Sequence, residues 1–284
     1  MLQIKERKSM MIKPSGRSTD FISPSFIMGC GFNCSYCYCK RHKTEGVDIA
    51  NNINQILTEI NNHAVFAVVD KPNQTHPKYI TYDIGCNSDM SLHAKHYDWK
   101  YVFNLFKNHD RAMGSFATKY VNTDFLKYNP NNKIRIRFSL MPQSYADQLE
   151  PKTSSIIDRI EAIDTFIDAG YDVHINFSPV IITQGWLIKY KELFELVNTH
   201  VKHKNIVKAE VIFLTHNEKK HEYNIAHGLF GEHLIWRPEL QENKKSQYGG
   251  NNIRYKHNIK HAYINQWIKL HDSIIPWNTI RYIF

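Results

Sequence analysis

Hydrophobic and polar positions along this chain switch between two periods. Ser25–Gly29 is a short apolar run, predicting a buried strand that enters a cysteine-rich loop. Asn51–Asn62 carries Ile53, Ile56, Leu57 and Ile60 at helical spacing. Lys78–Gly85 is strand-like and ends at Cys86, Tyr97–Asn108 has an aromatic and aliphatic helical face, and Gly114–Lys119 is a short strand. Lys133–Leu140, KIRIRFSL, alternates with period two, a strand signature. Ser154–Ala169 has Thr153 or Ser154 as a cap and stops at Gly170, so it predicts a helix. Strand Tyr171–Pro179, helix Leu187–Val201, strand Lys208–Leu214 and helix Glu218–Leu229 follow.

Roughly six strand–helix units favour an α/β fold with a parallel sheet under covering helices. With right-handed crossovers such units can curl into a partial (β/α)6 TIM-like barrel. The rhythm breaks near Arg237. Lys244–Lys256 predicts a hairpin turning at Gly249-Gly250-Asn251-Asn252, followed by a helix over His261–His271 and a closing strand over Asn278–Phe284. The expected organisation is a tail over 1–20, a barrel over 21–236, and a C-terminal hairpin and helix extension over 237–284 packed on the barrel. In parallel α/β folds chemistry sits at the C-terminal ends of strands. The cysteine loop, Cys86, Lys119 and Ser139 follow the first four strands in turn, which points to an enzyme.

The chain has 284 residues, enough for one large domain or two small ones. An apolar share of 42% and a charged share of 22% exclude a disordered, collagen-like or coiled-coil chain. No apolar run nears the roughly 18 residues of a membrane helix. The first twenty residues lack the apolar core of a secretory signal, so the expectation is a cytoplasmic protein with no membrane contact. Thirty-six basic against 27 acidic residues leave a net charge of +9, which favours a polyanionic partner, nucleic acid first.

Four of the five cysteines, Cys30, Cys34, Cys37 and Cys39, fall within ten residues; the fifth is Cys86. A disulfide framework would be spread along a secreted chain, so this tight cluster reads as metal binding. Cys30-x3-Cys34-x2-Cys37 offers three soft thiolates on one loop, suiting an iron–sulfur cluster or zinc. Three cysteines on a cubane would leave one iron open. The alternatives are a structural zinc site that recruits Cys39, or thiols that simply pack.

The spacing, with Tyr36 just before the third cysteine, resembles the radical S-adenosylmethionine (SAM) superfamily. Further stretches narrow the resemblance to the spore photoproduct lyase family. Cys34-Ser-Tyr36-Cys37-Tyr38 is similar to its cluster loop, with tyrosines on both sides of the last cysteine. Cys86-Asn87-Ser88-Asp89 is similar to its C-T-S-D, Phe116–Tyr120 to its F-V-T-K-Y, and Arg135–Ser139 to its R-F-R-F-S. Glu150-Pro151-x-Thr153-Ser154-Ser155 is similar to its E-P-G-T-S-S, and Ser178-Pro179 through Gly185-Trp186 to its A-P…E-G-W. The matches run in order from Cys30 to Trp186.

The resemblance implies the barrel of the radical SAM type and a [4Fe-4S] cluster on Cys30, Cys34 and Cys37. The open iron would chelate SAM, whose reductive cleavage gives a 5′-deoxyadenosyl radical. The implied reaction reverts a methylene-bridged thymine dimer, the spore photoproduct, to two thymines. Cys86 matches the hydrogen-atom donor, and Tyr36 and Tyr38 match residues that return the radical toward SAM. Ser88, Lys119 and Ser139 match SAM contacts, and Asp89 matches a residue beside the lesion. The implied partners are double-stranded DNA bearing the lesion and a one-electron reductant such as flavodoxin or ferredoxin, with the enzyme a monomer. Arg254 and Lys256, with Tyr248, Tyr255, Lys244 and Lys245, are the candidate DNA contacts of the hairpin. The alternatives are a radical SAM enzyme of the same fold acting on another nucleotide, and a zinc-containing nucleic-acid-binding module. Against the family pattern the N-terminal stretch is short, Asn87 replaces threonine, Cys39 is extra, and Gln247 stands near a basic position.

Overall fold

The computed structural model describes residues 1–39, 45–67, 70–245 and 250–284. The first strands are β1 (Leu2–Lys5), β2 (Lys13–Pro14), β3 (Phe21–Ile22), β4 (Ile27–Met28) and β5 (Val47–Ala50). Helix α1 (Ile53–Phe66), β6 (Ile80–Asp83), α2 (Trp99–Asn108), β7 (Ala112–Thr118) and β8 (Ile134–Leu140) follow. Next come α3 (Gln143–Leu149), α4 (Ile156–Asp168), β9 (Asp172–Val180), α5 (Trp186–His200), β10 (Lys208–Phe213), β11 (Thr215–His216), α6 (Glu218–Ala226) and α7 (Glu232–Ile235). The chain closes with β12 (Gln241–Lys245), β13 (Asn251–Tyr255), α8 (His257–Ile274) and β14 (Ile280–Ile283). The expected alternation of strand and helix is present, with boundaries moved by a few residues.

The residues form two compact units. The first is Met1–Gly31, His42–Phe138 and Ala162–His174; the second is Phe32–Arg41, Ser139–Glu161 and Ile175–Phe284. Strands β8 and β9 contribute residues to both.

In the first unit, β3, β6, β7 and β8 are parallel neighbours, with β2 antiparallel at the edge of β3. Helix α2 turns Trp99, Val102, Phe103 and Phe106 into the core. It starts at Asp98, whose side chain accepts the Tyr101 N–H at 3.2 Å. Gly114 in β7 lets Phe106 approach, because a Cβ there would lie 3.1 Å from that ring and 2.8 Å from Ile134 Cδ1. The period-two pattern of KIRIRFSL does not mark a solvent face, for every residue of β8 is buried. Its two arginines are paired instead: Arg135 Nε with Asp172 Oδ2 at 2.7 Å and Arg137 Nη2 with Asp83 Oδ2 at 2.9 Å. Burial pushes the Asp172 carboxyl up, but His174 and Arg135 beside it outweigh burial and hold it far below the usual range.

The expected N-terminal tail contains structure. Strand β1 pairs in parallel with β5, which pairs antiparallel with β4. All four β1 residues are exposed, so its Leu-Gln-Ile-Lys alternation marks no buried face; its backbone bonds to β5 do the work.

In the second unit, β10 pairs in parallel with β14, the closing strand. The predicted hairpin is β12 and β13, with β11 adding to β13. Asn251 and Asn252, expected in its turn, belong to β13, opposite Lys245 and Lys244. Phe177, Phe194, Trp267 and His271 pack as rings, with Phe194 and Trp267 edge to face at 5.1 Å. Among the described residues no helix is long and apolar enough to cross a membrane.

Candidate active site

In the first unit β6 runs through Ile84 and Gly85 to Cys86. A Cβ on Gly85 would meet Phe116 Cβ of β7 at 2.7 Å and Met90 Cγ at 2.9 Å, so glycine is what lets the chain pass this close to β7. The Ser88 N–H donates to the Gly85 carbonyl at 3.3 Å and closes the turn around Cys86, which is half-buried. This turn is stitched to the residue before Cys30. Gly29 N–H donates to the Asn87 carbonyl at 3.1 Å, and Ser88 Oγ donates to the Gly29 carbonyl at 2.7 Å. Asn87, where the family pattern has threonine, reaches further and donates its amide to Ser25 Oγ. Gly29 itself has φ 85°, a left-handed conformation that suits glycine.

Asp89 is buried and its carboxylate is occupied. Thr118 Oγ1 donates to it at 2.8 Å, and the Lys119 and Leu92 N–H groups donate at 2.8 and 3.2 Å. Burial pushes its pKa up against these bonds. Asp89 therefore fastens the end of β7 to the Cys86 turn. Lys119 is fixed at its backbone by this bond, with its side chain half-buried.

In the second unit Cys34 and Cys37 share a tight turn, the Cys37 N–H donating to the Cys34 carbonyl at 3.0 Å. Asn33 enters it in the left-handed region, φ 61°. Ser35 anchors the turn three times. Its N–H donates to the Leu149 carbonyl at 3.0 Å, its hydroxyl to the Phe230 carbonyl at 2.9 Å, and its carbonyl accepts the Asn224 amide at 2.8 Å. Cys34 and Cys39 are buried and Cys37 is half-buried, as is Cys30 in the first unit. Tyr38 is 47% exposed. Tyr36 donates its phenol to Glu150 Oε1. Burial, then the Glu150 carboxylate, raise the phenol well above its ordinary pKa and keep it a proton donor.

Glu150 Oε2 in turn faces Arg159 Nη1 at 2.8 Å, and both side chains are fully buried. Arg159 also donates to the Ser139 carbonyl at 2.9 Å and to Thr153 Oγ1 at 2.7 Å. One buried ion pair thus connects Tyr36 with Ser139 at the end of β8, where the Ser139 hydroxyl accepts the Asn176 amide at 3.3 Å. The Glu-Pro-x-Thr-Ser-Ser motif has this structural role, which sequence reasoning did not assign. Its signal was an arginine on the apolar face of a helix, among Ile156, Ile160 and Ile163.

The hairpin corrects part of the expected DNA contacts. Tyr255 is a core residue: it is 1% exposed and its phenol accepts the Ile182 N–H at 2.8 Å. Arg254 Nη2 pairs with Glu242 Oε1 at 3.0 Å, and Lys256 Nζ donates to the Glu239 carbonyl at 3.0 Å. Lys244 and Lys245 are exposed. Tyr248 and Gln247 lie outside the described residues.

Three thiols within eight residues, Cys34 and Cys37 sharing one hydrogen-bonded turn, are the soft ligand type an iron–sulfur cluster needs.

The model of one protein family, described as Spore photoproduct lyase, matches residues 1–284. The spore photoproduct lyase of Bacillus subtilis (strain 168) is 26% identical over 290 residues, spanning 99% of this chain and 81% of that protein. That of Clostridium acetobutylicum is 27% identical over 203 residues, 67% of this chain and 58% of that protein. A solved spore photoproduct lyase complexed with dinucleoside spore photoproduct superposes with a TM-score of 0.87 at 20% identity, covering 100% of this chain and 82% of that one. A variant with bound AdoMet and dinucleoside spore photoproduct gives 0.88 at 19% identity, over the same shares of the two chains. Native anSMEcpe with bound AdoMet gives 0.52 at 11% identity, covering 99% of this chain and 64% of that chain. These likenesses show the α/β parallel-sheet fold expected from the pattern.

Proposed function

Because this chain belongs to the spore photoproduct lyase family, we propose that it is a radical SAM lyase that reverts the methylene-bridged thymine dimer in DNA to two thymines. The observation that carries the reading is the full-length family match. The hydrogen-bonded Cys86 turn beside Gly29 and Cys30 supports it.

Cys30, Cys34 and Cys37 would hold a [4Fe-4S] cluster. With SAM bound, cluster and cofactor supply a hydrogen-abstracting radical. The chain's own residues position and finish the reaction. Ser88 holds the Gly29 carbonyl and with it the entry to the cysteine loop. Lys119, at the C-terminal end of β7, carries a charge suited to a carboxylate such as that of SAM. Ser139 is buried and held on both its carbonyl and its hydroxyl, so its part is to fix the end of β8. The Cys86 thiol gives its S–H hydrogen atom to the thymine radical left after the bridge breaks, restoring thymine. Tyr36, kept protonated and oriented by Glu150, and the exposed Tyr38 are the residues for returning the radical.

The lesion must leave the base stack, at roughly a few kcal/mol. Lys244 and Lys245 are exposed for phosphates, whereas Arg254 and Lys256 are engaged within the hairpin. A protein one-electron reductant would supply the electron that starts the first turnover, and the working unit is a monomer.

An anaerobic assay tests the reading. Reconstituted protein is reduced with SAM and DNA containing the dimer, and repaired thymine and 5′-deoxyadenosine are quantified together. The wild type restores both bases of the dimer, in excess over 5′-deoxyadenosine because radical return rebuilds SAM. Cys86→Ala keeps forming deoxyadenosine and releases one base, while product with both thymines restored falls to the enzyme-free level. Full repair by that variant would remove Cys86 as the donor, and deoxyadenosine without repair by the wild type would move the substrate elsewhere.

A further inference from the structure

Away from the cysteines, the second unit holds another convergence of metal-ligating atoms. His216 ends β11, His221 lies on α6 and Glu232 opens α7. His216 Nε2 stands 2.9 Å from Glu232 Oε1, and His221 Nδ1 stands 2.6 Å from the same oxygen. The three donor atoms lie within 4.8 Å of one another. The side chains are 0%, 24% and 9% exposed for His216, His221 and Glu232. We propose that these two imidazoles and one carboxylate form a binding site for one zinc-like divalent transition-metal ion, distinct from the cysteine loop.

The aim of the rings carries the argument. Two imidazoles that merely hydrogen-bonded a carboxylate could spread over its two oxygens. Here both face one oxygen, and the other takes the Asn224 amide. A ligating carboxylate held from behind by a hydrogen bond is the ordinary outer shell of a metal site. His221 is stacked flat on Trp236, with ring centroids 4.0 Å apart and planes at 6°, which fixes the direction of its Nδ1. Two nitrogens and one oxygen are a zinc donor set, and three protein ligands leave a fourth position for water. Ligands on tetrahedral zinc sit about 3.3 Å apart, so His216 Nε2 and His221 Nδ1 need to move ~0.4 and ~0.7 Å away from Glu232 Oε1. They stand on three short elements, and α6 and α7 are joined through left-handed Gly228 and Gly231.

The ion would tie β11, α6 and α7 together. Through Asn224, which also holds the Ser35 carbonyl between Cys34 and Tyr36, it would brace the cysteine turn from behind. The inference does not depend on the substrate of the cysteine site.

The test uses the full-length chain carrying Cys30→Ala, Cys34→Ala and Cys37→Ala, so that the loop thiols do not compete. Cobalt(II) is titrated in as a spectroscopic probe and then displaced with zinc(II). The expected result is one bound equivalent, with visible absorption but no sulfur-to-cobalt charge-transfer band. His221→Phe preserves the ring stack and removes the ligand, and Glu232→Gln removes the charge. Each should weaken zinc by at least ~10-fold, the smallest loss usual even for outer-shell changes, with circular dichroism confirming the fold. Absence of a cobalt spectrum, a spectrum with sulfur bands, or unchanged zinc affinity in a folded His221→Phe protein would each overturn the proposal.

Discussion

Glu150 and Arg159 face each other with no exposed side-chain surface, and one of them also takes the phenol of the tyrosine between two cysteines. Removing one partner of a buried pair leaves the other charge uncompensated, which costs roughly 3–5 kcal/mol. Glu150→Gln should therefore lose about 3 kcal/mol in urea unfolding. Adding Arg159→Met should recover part of that loss; no recovery would mean that the pair acts through Tyr36 alone. His93 makes a second prediction. Burial, then His96 and Lys95, lower its pKa from 6.5 to about 4. Between those values the unfolded chain binds the proton and the folded protein does not, so stability falls as pH falls through that window. The loss at pH 5 is about 2 kcal/mol at most, and His93→Gln should remove that part of the difference between unfolding at pH 7 and pH 5. At this scale the residue types were legible in sequence and their partners were not. Asp89 was expected to face the lesion, yet Thr118 and two backbone N–H groups occupy its carboxylate.

The hairpin shows what an element adds to its residues. Glu242 and Arg254 are directly opposed in the β12–β13 register, and this opposition neutralises the arginine expected to meet DNA. Glu242→Gln should free the guanidinium and steepen the salt dependence of DNA affinity, adding about one to the slope of log K against log salt. An unchanged slope would show that Arg254 meets no phosphate. Long elements such as β8, α4 and α5 were legible because they bury enough residues to impose a period. Strands β1 and β2 were not, because their residues are exposed and they exist only through pairing with other strands. The alternation of KIRIRFSL gave the right element and a misleading face: Asp83 and Asp172 make the buried side of β8 polar.

Across the whole molecule, the turns that carry the cysteines are held by the protein itself. Ser35 is bonded to Leu149, Phe230 and Asn224, and Gly29 is bonded to Asn87 and Ser88. Folding should therefore not wait for a cluster, unlike a domain that metal binding alone folds. The Cys30→Ala, Cys34→Ala, Cys37→Ala protein should keep its far-ultraviolet circular dichroism and a cooperative unfolding transition, and collapse of both would refute this. The sequence by itself determined the α/β alternation, the hairpin and helix at the C-terminus, and the cysteine spacing. Periodicity and ligand spacing are local, so a linear chain displays them. Only the tertiary structure decided which charges meet: Glu150 with Arg159, Arg254 with Glu242, and His216 and His221 with Glu232. An ion pair depends on a distance of a few ångströms between residues far apart in the chain, and folding alone sets that distance.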